Sequence, residues 1–144
     1  MNRETLSVIC GSVGAFLGHL FGGFDMALRV ALVFMCADWI VGVLVTLVFK
    51  SSSKTEDGKL SSKVMFTGLV KKGFMLVMIL LGHNLDLLLG MQIIRLGICY
   101  YIIAMELTSL MESWSISGLA YPKIFDKILE ILETKSENIE QWKK

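Results

Sequence analysis

Residues 26–49 read MALRVALVFMCADWIVGVLVTLVF, an apolar run interrupted by only two charges, Arg29 and Asp38. A bilayer's hydrocarbon core is about 30 Å thick, and a helix rising about 1.5 Å per residue crosses it with about 20 apolar residues. This stretch is long enough, so it predicts a helix in lipid. Three further apolar stretches flank it: 5–21 before it, then 73–89, whose helix could begin earlier near Val64, and 91–111, which encloses Arg95 and Glu106.

The composition agrees. Of the 144 residues 54% are hydrophobic and 19% charged, which is too apolar for an ordinary soluble domain. A net charge of +1 excludes disorder, which needs low hydrophobicity and high net charge. The balance of 14 Lys and Arg against 13 Asp and Glu also excludes the basic excess of a nucleic-acid binder, so no nucleic-acid partner is expected. The fold class expected is an all-α membrane protein with four transmembrane helices, or three if the N-terminal stretch is interfacial or re-entrant, plus a cytoplasmic amphipathic C-terminal helix.

Charge placement orients the spans. The turns around Gly22-Gly23-Phe24-Asp25 and Leu89-Gly90-Met91-Gln92 lack Lys and Arg, whereas loop 50–63 carries Lys50, Lys54, Lys59 and Lys63 and is followed by Lys71 and Lys72. The positive-inside rule makes that loop cytoplasmic and the two turns outward. Four spans then place both termini inside, with Arg3 at one end and Lys123, Lys127, Lys135, Lys143 and Lys144 at the other. The stretch 5–21 is short and holds three glycines and His19. Arg3 before an apolar run imitates a secretory signal, but no convincing A-x-A cleavage site follows, so a retained segment is expected. The sequence leaves open whether Met26 is a second start, which would give a product without the first span.

The transmembrane domain is expected over residues 1–111 and a cytoplasmic segment over 112–144. In the latter, Tyr121-Pro122 opens a helix in which Ile124, Ile128, Ile131 and Leu132 repeat at helical spacing against Lys123, Asp126, Lys127, Glu130 and Glu133. That helix suits an inner membrane surface or contact with its own copies.

A charge inside a span costs about 2.5–3.5 kcal/mol near mid-membrane unless it pairs or meets water. Asp38, near the centre of its span, should therefore face protein or a water-filled path. Arg29 and Arg95 lie about one turn inside the outward ends of their spans, level with Asp25 and Asp86, so outer ion pairs or snorkelling would lower their cost. Glu106 lies toward the cytoplasmic end of the last span. These five residues, Asp38, Glu106, Arg29, Arg95 and Asp86, are the candidate pore-lining or subunit-contact groups. Gly14 and Gly18 have the small-xxx-small spacing that allows close helix approach in lipid, and Gly42 is a third candidate packing position.

Chemistry of other kinds finds little support. His83, Asn84 and Asp86 cluster without a matching nucleophile or an HExxH pattern, so an interfacial polar end explains them better than catalysis. Cys10, Cys36 and Cys99 lie in apolar runs with no CxxC spacing, which points to small hydrophobes rather than a zinc site or a disulfide framework. No phosphate-binding loop, dinucleotide fingerprint or EF-hand loop occurs. Neither catalytic residues, nor a metal, nor a cofactor are expected.

Asp38-Trp39-Ile40-Val41-Gly42 within a long span, followed by Leu60-Ser61-Ser62-Lys63 and Gly68-Leu69-Val70-Lys71-Lys72, resembles the signature of the phage-lysis and toxin-secretion holin family, the group that includes clostridial toxin-export holins. The second half is similar to that family's C-terminal pattern through Glu106-Leu107-Thr108-Ser109, Glu112, Gly118 and Pro122. The resemblance covers residues from about 25 to 135, and departs at Met105 and Ser113, where the family often carries Asn. It implies a small multi-pass protein of the bacterial cytoplasmic membrane that accumulates and then assembles with copies of itself into a pore. The implied cargo is an endolysin or a large toxin lacking a signal peptide.

Two other classes fit the composition. In a narrow ion channel or small transporter, Asp38 would act as a selectivity or proton-coupling carboxylate, although the internal repeat common in transporters is not evident. In a membrane anchor or assembly factor, the C-terminal helix would recruit a partner.

Overall fold

Glycines and two aspartates set the helix boundaries. In the computed structural model, which describes residues 2–49, 62–118, 120 and 122–141, the elements are α1 (Arg3–Leu20), α2 (Met26–Phe49), α3 (Ser62–Leu89), α4 (Ile94–Ile116) and α5 (Ile124–Gln141). Among the described residues every regular element is helical, so the fold class is all-α. Residues 50–61 of the basic loop, Tyr121 and the terminal residues 142–144 lie outside the described residues.

Helix α1 stops where Gly22 and Gly23 take positive φ of 74° and 97°, and the Gly23 N–H returns to the Gly18 carbonyl at 2.7 Å. Asp25 then caps α2, its carboxylate accepting the Leu28 N–H at 3.0 Å. Gly90, at φ 65°, ends α3 in the same way that Gly22 and Gly23 end α1, and the Met91 N–H bonds the Asp86 carbonyl at 2.8 Å. Helix α4 continues past Met111 to Ile116 and closes at Ser117 and Gly118.

Helix α4 is the hub, packed against α2, α3 and α5. Leu28, Ala31, Met35, Asp38 and Val45 of α2 are buried at steps of three, four and seven, the repeat that keeps one helix face on a neighbour. The core joins Leu28, Ala31 and Met35 to Ile79 of α3 and to Cys99, Ile102 and Ile103 of α4.

Outside this seam the bundle is apolar. Val33, Leu47, Val48, Phe74, Leu87 and Leu88 are all more than half exposed, an arrangement that suits lipid and not water. Among the described residues three helices are long and apolar enough to cross a membrane: Met26–Val48, Met65–Leu89 and Ile94–Ile116. Helix α1 is not among them, because Arg3, Glu4, His19 and its glycines and serines dilute a segment of only 18 residues. It buries no residue, and near its end a Cβ added at Gly18 would stand 3.5 Å from the Phe24 ring.

Helix α5 folds back along α4. Leu132 packs on the core, and the Lys135 ammonium stands 5.5 Å from the centre of the Tyr100 ring. The half-buried positions are Phe125, Leu129, Leu132 and Ser136, whereas Ile124, Ile128 and Ile131 remain exposed. The apolar arc read from the sequence is therefore wider than the strip that one neighbouring helix covers.

Candidate functional site

The polar groups of the bundle form two clusters at different depths. The deeper one centres on Lys72, whose ammonium donates to Asp38 Oδ2 at 3.0 Å and to Glu106 Oε1 and Oε2 at 2.8 and 2.6 Å. The three side chains are only 13%, 9% and 3% exposed. At about 1.5 Å per residue, Asp38 and Glu106 each lie about 18 Å from the first residue of their helices, near the middle of α2 and α4. Three helices are thus joined by one cation between two carboxylates, in a region where an unpaired charge would be costly.

Lys72 is the residue that the sequence did not single out. It stands beside Lys71 in what looks like a basic flank, yet α3 begins at Ser62 and continues through both. Consecutive helix positions point about 100° apart, so Lys71 is exposed while Lys72 turns inward. The pattern that would have found it is the buried face of α3: Asp86, Gly82, Ile79 and Met75, stepped back by four, three and four, lead by a step of three to Lys72. Gly82 belongs to the same face and was also unmarked. A Cβ there would meet Ile98 Cδ1 at 2.6 Å and the Arg95 Cα at 3.2 Å, so α3 and α4 pack closely at a glycine.

The second cluster sits where α3 ends and α2 and α4 begin, and it ties charges to backbone. Asp86, buried in α3, accepts the N–H groups of Ile93 and Ile94 on Oδ1 at 3.2 and 2.9 Å and that of Arg95 on Oδ2 at 2.9 Å. The residue at the head of α4, Ile93, offers no side-chain cap, so Asp86 supplies one from the preceding helix. Arg95 pairs with Asp25 through Nη2 and donates through Nη1 to the Phe21 carbonyl at 3.0 Å, fastening the α1–α2 turn to α4. A Cβ at Gly22 would overlap the His83 imidazole, so α3 presses on that turn as well.

The other candidate residues stand apart from both clusters or on their margins. Arg29 is exposed, with its backbone N–H on the Asp25 carbonyl. Gly14 and Gly42 have open space around them, and Gly18 meets only Phe24. Glu112 is exposed, Gly118 takes φ 73° after α4, and the Pro122 carbonyl accepts the Phe125 N–H at 3.1 Å ahead of α5. His83, Asn84 and Asp86 do separate work: His83 packs on Gly22, Asn84 donates to the Leu80 carbonyl at 2.8 Å, and Asp86 caps α4. Cys10, Cys36 and Cys99 are free thiols, and among the described residues no group of three or more His, Cys, Asp or Glu is placed to hold a metal ion.

Comparison with known proteins adds the family. An uncharacterized protein of Listeria monocytogenes is 32% identical over 129 residues, covering 89% of this chain and 86% of its own length. An uncharacterized protein of Clostridium perfringens is 32% identical over 136 residues, covering 90% and 95%, and one of Bacillus subtilis is 32% identical over 139 residues, covering 94% and 96%. No solved structure matches the chain. The family model described as the bacteriophage holin family matches residues 15–134, from the middle of α1 through most of α5. With three helices among the described residues fit to cross a membrane and this match over most of its length, the chain belongs to the bacteriophage holin family and is a holin-like membrane protein.

Proposed function

We propose that the chain accumulates in the bacterial cytoplasmic membrane and assembles with copies of itself into an aqueous pore that releases an endolysin or a large toxin. The observation that carries this reading is the membership itself, over residues 15–134. Holin-family membership also points to a non-enzymatic role.

The geometry supports many copies over one. Asp38 and Glu106 are turned onto Lys72 within the bundle, which favours a structural role for the pair over a selectivity carboxylate in a single-chain channel. A wide water path then has to lie between chains, against surfaces that a lone chain presents to lipid. In this reading loop 50–63 is cytoplasmic by its lysines, the Gly22-Gly23 and Gly90 turns are outward, and α1 forms a fourth and shortest crossing that brings both termini inside.

Expression in a bacterium tests the function. Growth should stop abruptly, and a co-expressed lysin should then release a cytoplasmic enzyme. Ion leakage with every protein retained would instead identify a narrow channel. Thiol labelling of single cysteines at Asn2, Asp25 and Ser52 tests the topology: only Asp25→Cys should label from outside, and external labelling of Asn2→Cys would remove the fourth crossing.

A further inference from the structure

Two charges of opposite sign lie within the spanning helices but outside the bundle. Lys71 belongs to the span Met65–Leu89 and Glu112 to the span Ile94–Ile116. Both are exposed, and neither forms an ion pair among the described residues. A charge in a spanning segment is costly against lipid and is found facing protein or water. Arg29, the other exposed charge of these spans, stands near the start of α2, at the far end of the bundle.

Lys71 and Glu112 lie toward the same end. Helices α3 and α4 run antiparallel, and Lys72 meets Glu106, so Lys71 and Glu112 differ in depth by about 8 Å at about 1.5 Å per residue. Side chains on a helix lean toward its N-terminus, so Lys71 leans toward the depth of Glu112 and Glu112 leans back toward that of Lys71. Two long side chains close such a gap.

Each charge also heads a strip that packing within the chain leaves open. On α4, Tyr101, Met105, Thr108 and Glu112 are exposed at steps of four, three and four, while α2, α3 and α5 occupy the other sides. On α3, Lys71, Phe74, Met78 and Leu81 are exposed at steps of three, four and three. Such steps keep residues on one face, as in paired helices. Read antiparallel from Lys71 and Glu112 the strips keep step, Phe74 corresponding to Thr108, Met78 to Met105 and Leu81 to Tyr101.

Resting on the pore reading above, we infer that Lys71 on α3 of one copy pairs with Glu112 on α4 of the next, joining second copies of this chain strip to strip. Each strip carries the charge that the other lacks, in the same membrane and near the same depth. Because the two strips are different surfaces, every copy keeps one free for a further neighbour, and the contact repeats head to tail into a ring or an open array. A wide water path needs an assembly of that kind, since a patch that met only itself would stop at a dimer. Helix α5 takes no part in the contact.

Full-length chain in vesicles of phosphatidylethanolamine and phosphatidylglycerol tests it, with energy transfer between copies labelled at the C-terminus reporting assembly and dye release reporting the pore. Lys71→Glu alone and Glu112→Lys alone each set like charges against each other and should weaken energy transfer and slow release by about five-fold or more. An equal mixture of the two variants should recover both signals, because every contact in an alternating array again joins an acid to a base. Normal assembly of either variant alone overturns the inference, as does a mixture no better than its components or a parent chain without energy transfer. Rescue of Glu112→Lys by Lys123→Glu copies, and not by Lys71→Glu copies, would move the contact to the segment before α5 and overturn it as well. A parent chain that transfers energy but passes neither ions nor dye refutes the pore reading, and the mixture still decides the contact.

Discussion

The cluster around Lys72 and the cluster around Asp86 and Arg95 sit on the same helices and solve the same problem by different means. Where α1 and α3 end and α4 begins, helix termini leave backbone N–H and C=O groups without intrahelical partners, and the charges there take them up: Asp86 receives three N–H groups and Arg95 reaches the Phe21 carbonyl. In mid-helix every backbone group is already bonded within its helix. A charge there has to be matched by side chains, and Asp38 and Glu106 both turn to Lys72. Depth along the helix, and not residue type, decides which partner an ionised side chain finds.

The largest effect should come from breaking the deep cluster. Lys72→Met leaves two buried carboxylates facing each other and is expected to cost about 3–5 kcal/mol, the usual penalty for stranding a buried charge. Denaturant unfolding of the purified chain in detergent, followed by circular dichroism, measures it. Adding Asp38→Asn and Glu106→Gln to that substitution should recover most of the loss. A triple variant as unstable as the single one would show that packing of the Lys72 stem, and not charge balance, holds the helices together.

Asp86→Ala should cost less, about 1–2 kcal/mol, the upper range for loss of a helix cap. Its mark is local: amide hydrogen exchange at Ile94 and Arg95 should quicken while Ile102 and Ile103 stay protected. Equal loosening along the whole of α4 would place Asp86 in the core and not at a cap.

The smallest change should follow Arg95→Lys, which keeps a cation near Asp25 but surrenders the fork that also reaches Phe21. The Asp25 side chain is 41% exposed, so about 1 kcal/mol or less is expected. Raising salt should shrink this difference and leave the Lys72→Met penalty nearly unchanged, because screening acts on exposed pairs far more than on buried ones. Equal salt sensitivity at both sites would erase the distinction between the clusters.

Particular residues show how far the sequence reaches. Asp38 and Glu106 stand out as lone acids in apolar runs. Arg95 and Asp25 are legible as an outward pair from their matching depth, although the Phe21 carbonyl that completes their site belongs to a turn no pattern announces. Lys72 is hidden by its neighbour Lys71, since adjacent lysines before an apolar run look like a loop flank until the helix is known to begin at Ser62. Gly82 is one glycine among many until α4 is seen to press on it.

The sequence by itself determined the solvent, the helical class and the family resemblance, because hydrophobic length, basic loop residues and short ordered motifs are local properties. It also marked where charge would be expensive. Tertiary structure alone decided how that cost is met. Which of two adjacent lysines turns inward, which carboxylates share it, and whether a charged C-terminal helix lies along a spanning one depend on how three helix faces align, and that alignment is a property of the packed bundle.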